Sequence, residues 1–327
     1  MLTSFGRTLR RVADRLFPPA APTGGPAILM YHRIAEESFD PWGLAVSSAN
    51  CTEQVRWLTT NRTVLGLAEF ARSHGARTLP DDAVAITFDD GYASVIEAAA
   101  PVLEQFNVPA TVFIPAELIE HGDAFWWDEL ERIVLDHPGS SLNVHGVVKL
   151  GDRSSEDVRW RPGADPQTPR QRAFLSIWER LKLLSPKALD EAMSRLKEQA
   201  GATKAIPRSH RLLTSEELRG RPPLLDVGSH ALSHPSLPAL SGPEKAHQIR
   251  ASIAQCEAVS GTRPTTFAYP FGDIDRESLE LVRDAGFECA CTTQHSFVAR
   301  RTDPFSMPRL AVPNCGATGL ASLLGTP

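Results

Sequence analysis

Cysteine is scarce in this chain and poorly spaced for either of its common structural uses. The five thiols, at positions 51, 256, 289, 291 and 315, are odd in number and follow no disulfide framework. No CxxC pair occurs, which excludes the usual thiolate zinc knuckle. Cys289 and Cys291 form a CxC in the run FECACTT, where alternation reads as a strand. Scattered free thiols point to a reducing compartment. Long apolar runs are missing too. No stretch of about 18 apolar residues exists, so a conventional spanning helix is not expected. Nor is there a surplus of basic charge. With 34 Lys+Arg against 39 Asp+Glu the formal net charge is −5, the opposite of the basic face that nucleic-acid binding requires.

What the chain does have is length and ordinary apolar content. Its 327 residues, 42% hydrophobic, allow two average domains or one large barrel, and a core that needs no disulfides. The first residues, MLTSFGRTLRRVADRLFPP, place Leu2, Phe5, Leu9, Val12, Leu16 and Phe17 near helical spacing, with Arg7, Arg10, Arg11 and Arg15 between them. This is a basic amphipathic helix and not a secretory signal, because no uninterrupted apolar core follows the charges. A cytoplasmic location is therefore expected. The helix reads either as a peripheral contact with the inner membrane face or as a terminal helix packed on the domain; the second is preferred.

After the Pro/Gly-rich stretch at 17–26, Ala27-Ile28-Leu29-Met30-Tyr31-His32 reads as a buried strand ending in a polar pair. A helix is expected around 50–60. Residues 83–88, 93–106 and 108–114 then form a strand–helix–strand unit, which predicts a parallel sheet with a right-handed crossover. From 124 to 218 the character turns helical and polar, as in an insertion or lid. Strands return at 224–228, 265–269 and 287–293, with helices at 243–259 and 276–285 between them. This order predicts a (β/α) barrel or an open α/β sheet.

Catalytic groups in such folds collect where strands end. Asp89 and Asp90 follow the strand Ala83-Val84-Ala85-Ile86-Thr87-Phe88, with Gly91 turning the chain. Adjacent acids repel unless a cation or proton compensates, so the pair reads as a metal ligand beside a general base. A helix N-cap with a dipole-favoured acid is the equal alternative. His230 and His234 stand four residues apart past another strand, a spacing that puts both rings on one face if the turn is helical. Two imidazoles and one carboxylate suit a divalent metal and leave positions open. His74, His121, His137, His145, His210, His247 and His295 lie in polar or helical contexts and are read as structural or exposed. Trp126-Trp127 reads as a sugar-stacking pair or as part of the core.

These residues resemble a known family. Thr87-Phe88-Asp89-Asp90-Gly91 is similar to the TFDDG motif of the polysaccharide deacetylases, the NodB-homology domains of carbohydrate esterase family 4. Ser229-His230-Ala231-Leu232-Ser233-His234-Pro235 resembles their second motif, and Phe267-Ala268-Tyr269-Pro270-Phe271-Gly272 their third. Leu29-Met30-Tyr31-His32 resembles a subgroup associated with surface polysaccharides. The resemblance spans about 27–120 and 212–313. It implies a distorted (β/α) barrel with a helical insertion. The chain then divides into an N-terminal helix and linker (1–26), a first part of the barrel (27–123), the insertion or lid (124–218) and a second part (219–327).

The resemblance also implies a divalent metal on Asp90, His230 and His234, with zinc the first expectation and Co, Mn, Ni or Fe as other fits. Asp89 would be the general base, and a backbone N–H near Phe271 would meet the oxyanion. The substrate implied is an N-acetylated glycan or glycolipid. Two departures stand out. The third-motif arginine that orients the base is replaced by Ala268, and Arg309 is the candidate to fill that role. The late histidine that serves as acid has no match, which leaves His32 or water to protonate the leaving group. O-deacetylation, another amide substrate at the same site, and a weakened glycan-binding homologue are the alternative outcomes.

Overall fold

Five consecutive apolar residues, all buried, form β1 (Ala27–Tyr31), and five more with Thr87, again all buried, form β3 (Ala83–Phe88). Such runs, with no polar face, belong to parallel strands covered on both sides. In the computed structural model they lie side by side at the middle of one parallel sheet. The structure describes residues 24–121, 124–143, 147–201 and 207–326. The amphipathic segment expected at the N-terminus lies outside them.

Between these strands come α1 (Ser48–Asn61), the short β2 (Thr63–Val64) and α2 (Leu67–Ala76). Ser47 caps α1 by accepting from the Asn50 N–H, and Cys51, Val55 and Leu58 form its inward stripe. A helical turn and α3 (Ala100–Phe106) then lead to β4 (Ala110–Ile114). The chain returns to the sheet as β5 (Leu225–Ser229), β6 (Thr266–Ala268), β7 (Cys289–Cys291) and β8 (Leu310–Ala311). The sheet order is β7-β6-β5-β4-β3-β1-β8, with β2 pairing β3 beside β4. Met307 bridges Cys291 while Leu310 and Ala311 pair with Leu29 and Met30. The segment 307–311 thus joins the two ends of the sheet into a distorted (β/α) barrel.

Register is what positions the site. Tyr31 lies opposite Phe88, Ile114 opposite Ser229, and Ala268 opposite Cys291. The strands therefore end nearly level, and the residues that follow them rise at one rim.

The region between β4 and β5 is not wholly helical. It holds α4 (Trp126–Leu130), an antiparallel pair, Ser141–Asn143 with Val147–Lys149, and the helices α5 (Pro169–Leu181) and α6 (Pro186–Ala200). A reciprocal box between Thr168 and Gln171, with Pro169 in the first turn, starts α5. After β5, α7 (Gly242–Ser260) and α8 (Arg276–Asp284) cover the second half of the sheet. Among the described residues no helix is long and apolar enough to cross a membrane.

Candidate metal centre

The turn after β3 carries Asp89, Asp90 and Gly91. Asp90 and Gly91 both adopt left-handed backbone, at φ 73° and 69°. That conformation costs a non-glycine residue energy, and here it belongs to a site residue. The N-cap alternative is not what the structure shows. Helix begins several residues later, and both carboxylates meet side chains.

Past β5 the expectation of a helical turn also gives way. Ala231 and His234 have φ of 61° and 59°, so the HxxxH run is an irregular loop. Gln248 on α7 holds that loop in place: its Oε1 accepts from the N–H groups of Leu232 and Ser233 at 3.1 and 3.0 Å. The two imidazoles nevertheless converge, with Nε2 of His230 and Nε2 of His234 3.1 Å apart. Asp90 Oδ1 lies 3.5 Å from the first and 3.3 Å from the second.

These atoms fit a divalent cation. His230 Nδ1 donates to the Ala268 carbonyl at 2.7 Å, which leaves its Nε2 with a lone pair. His234 Nδ1 is buried without a protein partner among the described residues, as expected of a ring that turns Nε2 inward. One atom from each of Asp90, His230 and His234 lies within 4.8 Å of the others, all three residues being buried. Ala268 thus contributes its backbone carbonyl to orienting the His230 ring.

The arginine comes from elsewhere. Arg309, fully buried in the barrel-closing segment, donates from Nη1 and Nη2 to the two oxygens of Asp89, both at 2.6 Å. Its Nε donates to the Thr292 carbonyl at 2.9 Å and Nη1 also reaches Thr87 Oγ1 at 3.1 Å, so the fork is fixed at both ends. Burial alone raises a carboxyl pKa. Burial is the largest single effect on both, but the charges and hydrogen bonds of Arg309, with His230 and His32, together outweigh it at Asp89, and those of His230 and His234, with His32, do so at Asp90, so both carboxyls lie below their ordinary range. Burial is also the largest effect on His32 and His234, and it pushes both rings toward the neutral form.

His32, one residue past β1, and Phe271 line the same small cleft as the Asp and His residues. Phe271 is itself left-handed, at φ 58°, and its ring centroid lies 4.6 Å from that of His234. Tyr31 points away, donating to Gln54 Oε1 at 3.1 Å within the core. Trp127 is both core and cleft wall, stacked on Phe125 at 4.1 Å and 4.8 Å from the His234 ring. Trp126 packs on Trp127 and Trp178 and is not among the residues lining the cleft. The sequence reading missed Trp42, Trp178 and Lys182, which complete the wall. Trp178 sits on the inward stripe of α5, where it reads as core. Trp42 lies in a loop with no periodic signal at all.

A family model described as polysaccharide deacetylase matches residues 76–162 and 217–290. A protein of Escherichia coli strain K12, poly-β-1,6-N-acetyl-D-glucosamine N-deacetylase, is 23% identical over 299 residues, covering 90% of this chain and 37% of that protein. The chain therefore spans little more than a third of that relative's length. Two solved structures share the fold. One is a Streptococcus pyogenes deacetylase in complex with acetate, with TM-score 0.57, 16% identity, and coverage of 93% of this chain and 99% of that one. The other is a de-N-acetylase from Aggregatibacter actinomycetemcomitans, with TM-score 0.52, 16% identity, and coverage of 91% and 99%.

Proposed function

Because the chain belongs to the polysaccharide deacetylase family, we propose that it is a metal-dependent hydrolase that removes N-acetyl groups from an N-acetylated sugar of a poly- or oligosaccharide. One observation carries this reading. Two imidazole nitrogens and a carboxylate oxygen face one point, beside a second carboxylate clamped by a buried arginine.

In this reading Asp90, His230 and His234 hold the cation, zinc first among several that accept such donors. A bound divalent ion supplies polarisation of the amide carbonyl and a more acidic water. The protein's groups do the rest. Asp89 accepts the proton of the attacking water at a carboxylate oxygen, and Arg309 keeps that carboxylate ionised and aimed. Arg309 thereby takes the role of the arginine absent at position 268. The backbone N–H of Phe271 donates to the carbonyl oxygen as its charge grows. The amide C–N bond breaks, acetate leaves from the carbon, and His32 gives a proton to the amine nitrogen. The proton that Asp89 took from the water makes good the one His32 gives, so both groups return to their starting forms, and burial, which disfavours a charged His32 ring, favours the release.

The proposal extends to a surface-polysaccharide substrate and to a cytoplasmic enzyme. The deciding experiment combines elemental analysis of the purified protein with acetate release from N-acetylated oligosaccharides. Bound divalent metal and acetate release that stops on chelation are expected. Release unaffected by metal removal would overturn the reading.

A further inference from the structure

The two stretches matched by the family model leave residues 163–216 between them, and α5 lies in that interval. Trp178 on α5 and Lys182 just after it line the cleft over the metal ligands. Their contacts reach both sides of the barrel mouth. On the β1 side, the Trp178 ring lies 4.9 Å from that of Trp42. On the β6 side, it lies 6.1 Å from Phe271, edge to face. Lys182 strengthens this second attachment. Its Nζ pairs with Asp273 Oδ2 at 2.7 Å and sits 4.7 Å above the Phe271 ring centroid. Asp273 is anchored in turn by Ser236 Oγ at 2.8 Å, two residues from His234.

An interior sugar of a polymer has neighbours on both sides and needs a groove open at both ends. Here Trp178 and Lys182 tie the helix to both sides of the barrel mouth. The rings of the wall are not open platforms either, because Trp42, Trp127 and Trp178 are 7, 5 and 7% exposed. The cleft encloses about 120 Å³, well below the roughly 300–1,000 Å³ of typical ligand sites. Such a space admits an acetamido group and part of one ring.

We propose that α5 makes the site a closed-sided pocket for one terminal N-acetylated sugar, at a chain end or alone on a carrier. Trp178 and Lys182 are its specificity-determining residues. The rings of Trp42 and Trp178 face the apolar side of the sugar, and the ammonium group of Lys182 donates to one of its hydroxyls. This inference rests on the deacetylase reading and narrows its substrate.

The test assays metal-loaded protein on the methyl glycosides of the common N-acetylhexosamines and on matching linear pentamers, with products sequenced by mass spectrometry. Pentamers that lose only a terminal acetyl group support the chain-end source. Turnover of methyl glycosides alone supports the carrier-linked source. Removal of acetyl groups from interior sugars overturns the inference while leaving the deacetylase reading intact. No acetate from any substrate overturns that reading and the inference with it. Trp178→Ala is expected to lower kcat/KM on the methyl glycoside about tenfold. Lys182→Met in the same background is expected to let interior sugars react. The wild-type arms decide the question even where a variant fails to fold.

Discussion

At the barrel rim, His32, Asp89, Asp90 and His230 sit one or two residues past the ends of buried strands, with His234 and Phe271 on the loops that follow. The wall across from them is made of rings from a loop and two helices, held by packing and one ion pair. The rim is fixed by register, since strands that end level present Asp89, Asp90, His230 and the 269–272 turn at one height. Apart from Trp42, the wall depends on how residues 124–218 fold back, and its side chains are of types that also fill cores. In the proposed reading reaction chemistry rests on the rim and substrate choice on the wall, and the two meet at Phe271, whose ring packs on both His234 and Trp178.

The largest expected effect falls on the rim. His230→Ala and His234→Ala should each lose bound metal, measured as metal-to-protein ratio after dialysis, while α5 and its contacts persist. Full metal retention in either variant would break the triad.

Arg309→Ala comes next, because it strands the Asp89 carboxylate in a dry site. Removing one partner of a buried pair costs about 3–5 kcal/mol, so a denaturant midpoint well below wild type is expected, with reduced kcat. An unchanged kcat would leave Ala268 without a compensating arginine.

A smaller effect belongs to the return of the wall to the barrel. Glu217, which pairs with Arg211 at 2.7 Å and caps a short helix with Thr214, has its pKa lowered to about 2, the Arg211 hydrogen bond being the main cause. Its unfolded value is ~4.3. A depressed carboxyl contributes stability that is present above the unfolded pKa and is lost as pH falls through the folded one. Glu217→Gln should therefore flatten the loss of unfolding free energy between those two values. A slope equal to wild type would mean the pair contributes nothing.

The same division explains what could be read from the sequence. A six-residue apolar strand ending in two acids, and two histidines four apart, carry their meaning in spacing, so the rim was legible. Its local geometry was not: left-handed backbone at Asp90, in the turn after β3, and at Ala231 and His234, in the loop after β5, sets these side chains in a way that no helical period describes. Arg309 was suggested by what was missing at 268, yet its fork on Asp89 depends on barrel closure through one two-residue strand and a single bridge at Met307, too short to show a pattern. Trp42, Trp178 and Lys182 were invisible because an inward-facing ring on a helix has the same signature whether it meets a core or a substrate. The antiparallel pair at 141–149 was hidden for a similar reason, being two three-residue strands inside a polar stretch.

The central claim is that two adjacent carboxylates have been given different work, Asp90 to hold a cation and Asp89 to move a proton. Asp89→Asn tests it most directly, with metal content and acetate release measured on the same preparation. The account predicts a wild-type metal-to-protein ratio with turnover reduced about 10²–10⁴-fold. Loss of the metal, or turnover at the wild-type rate, would contradict it.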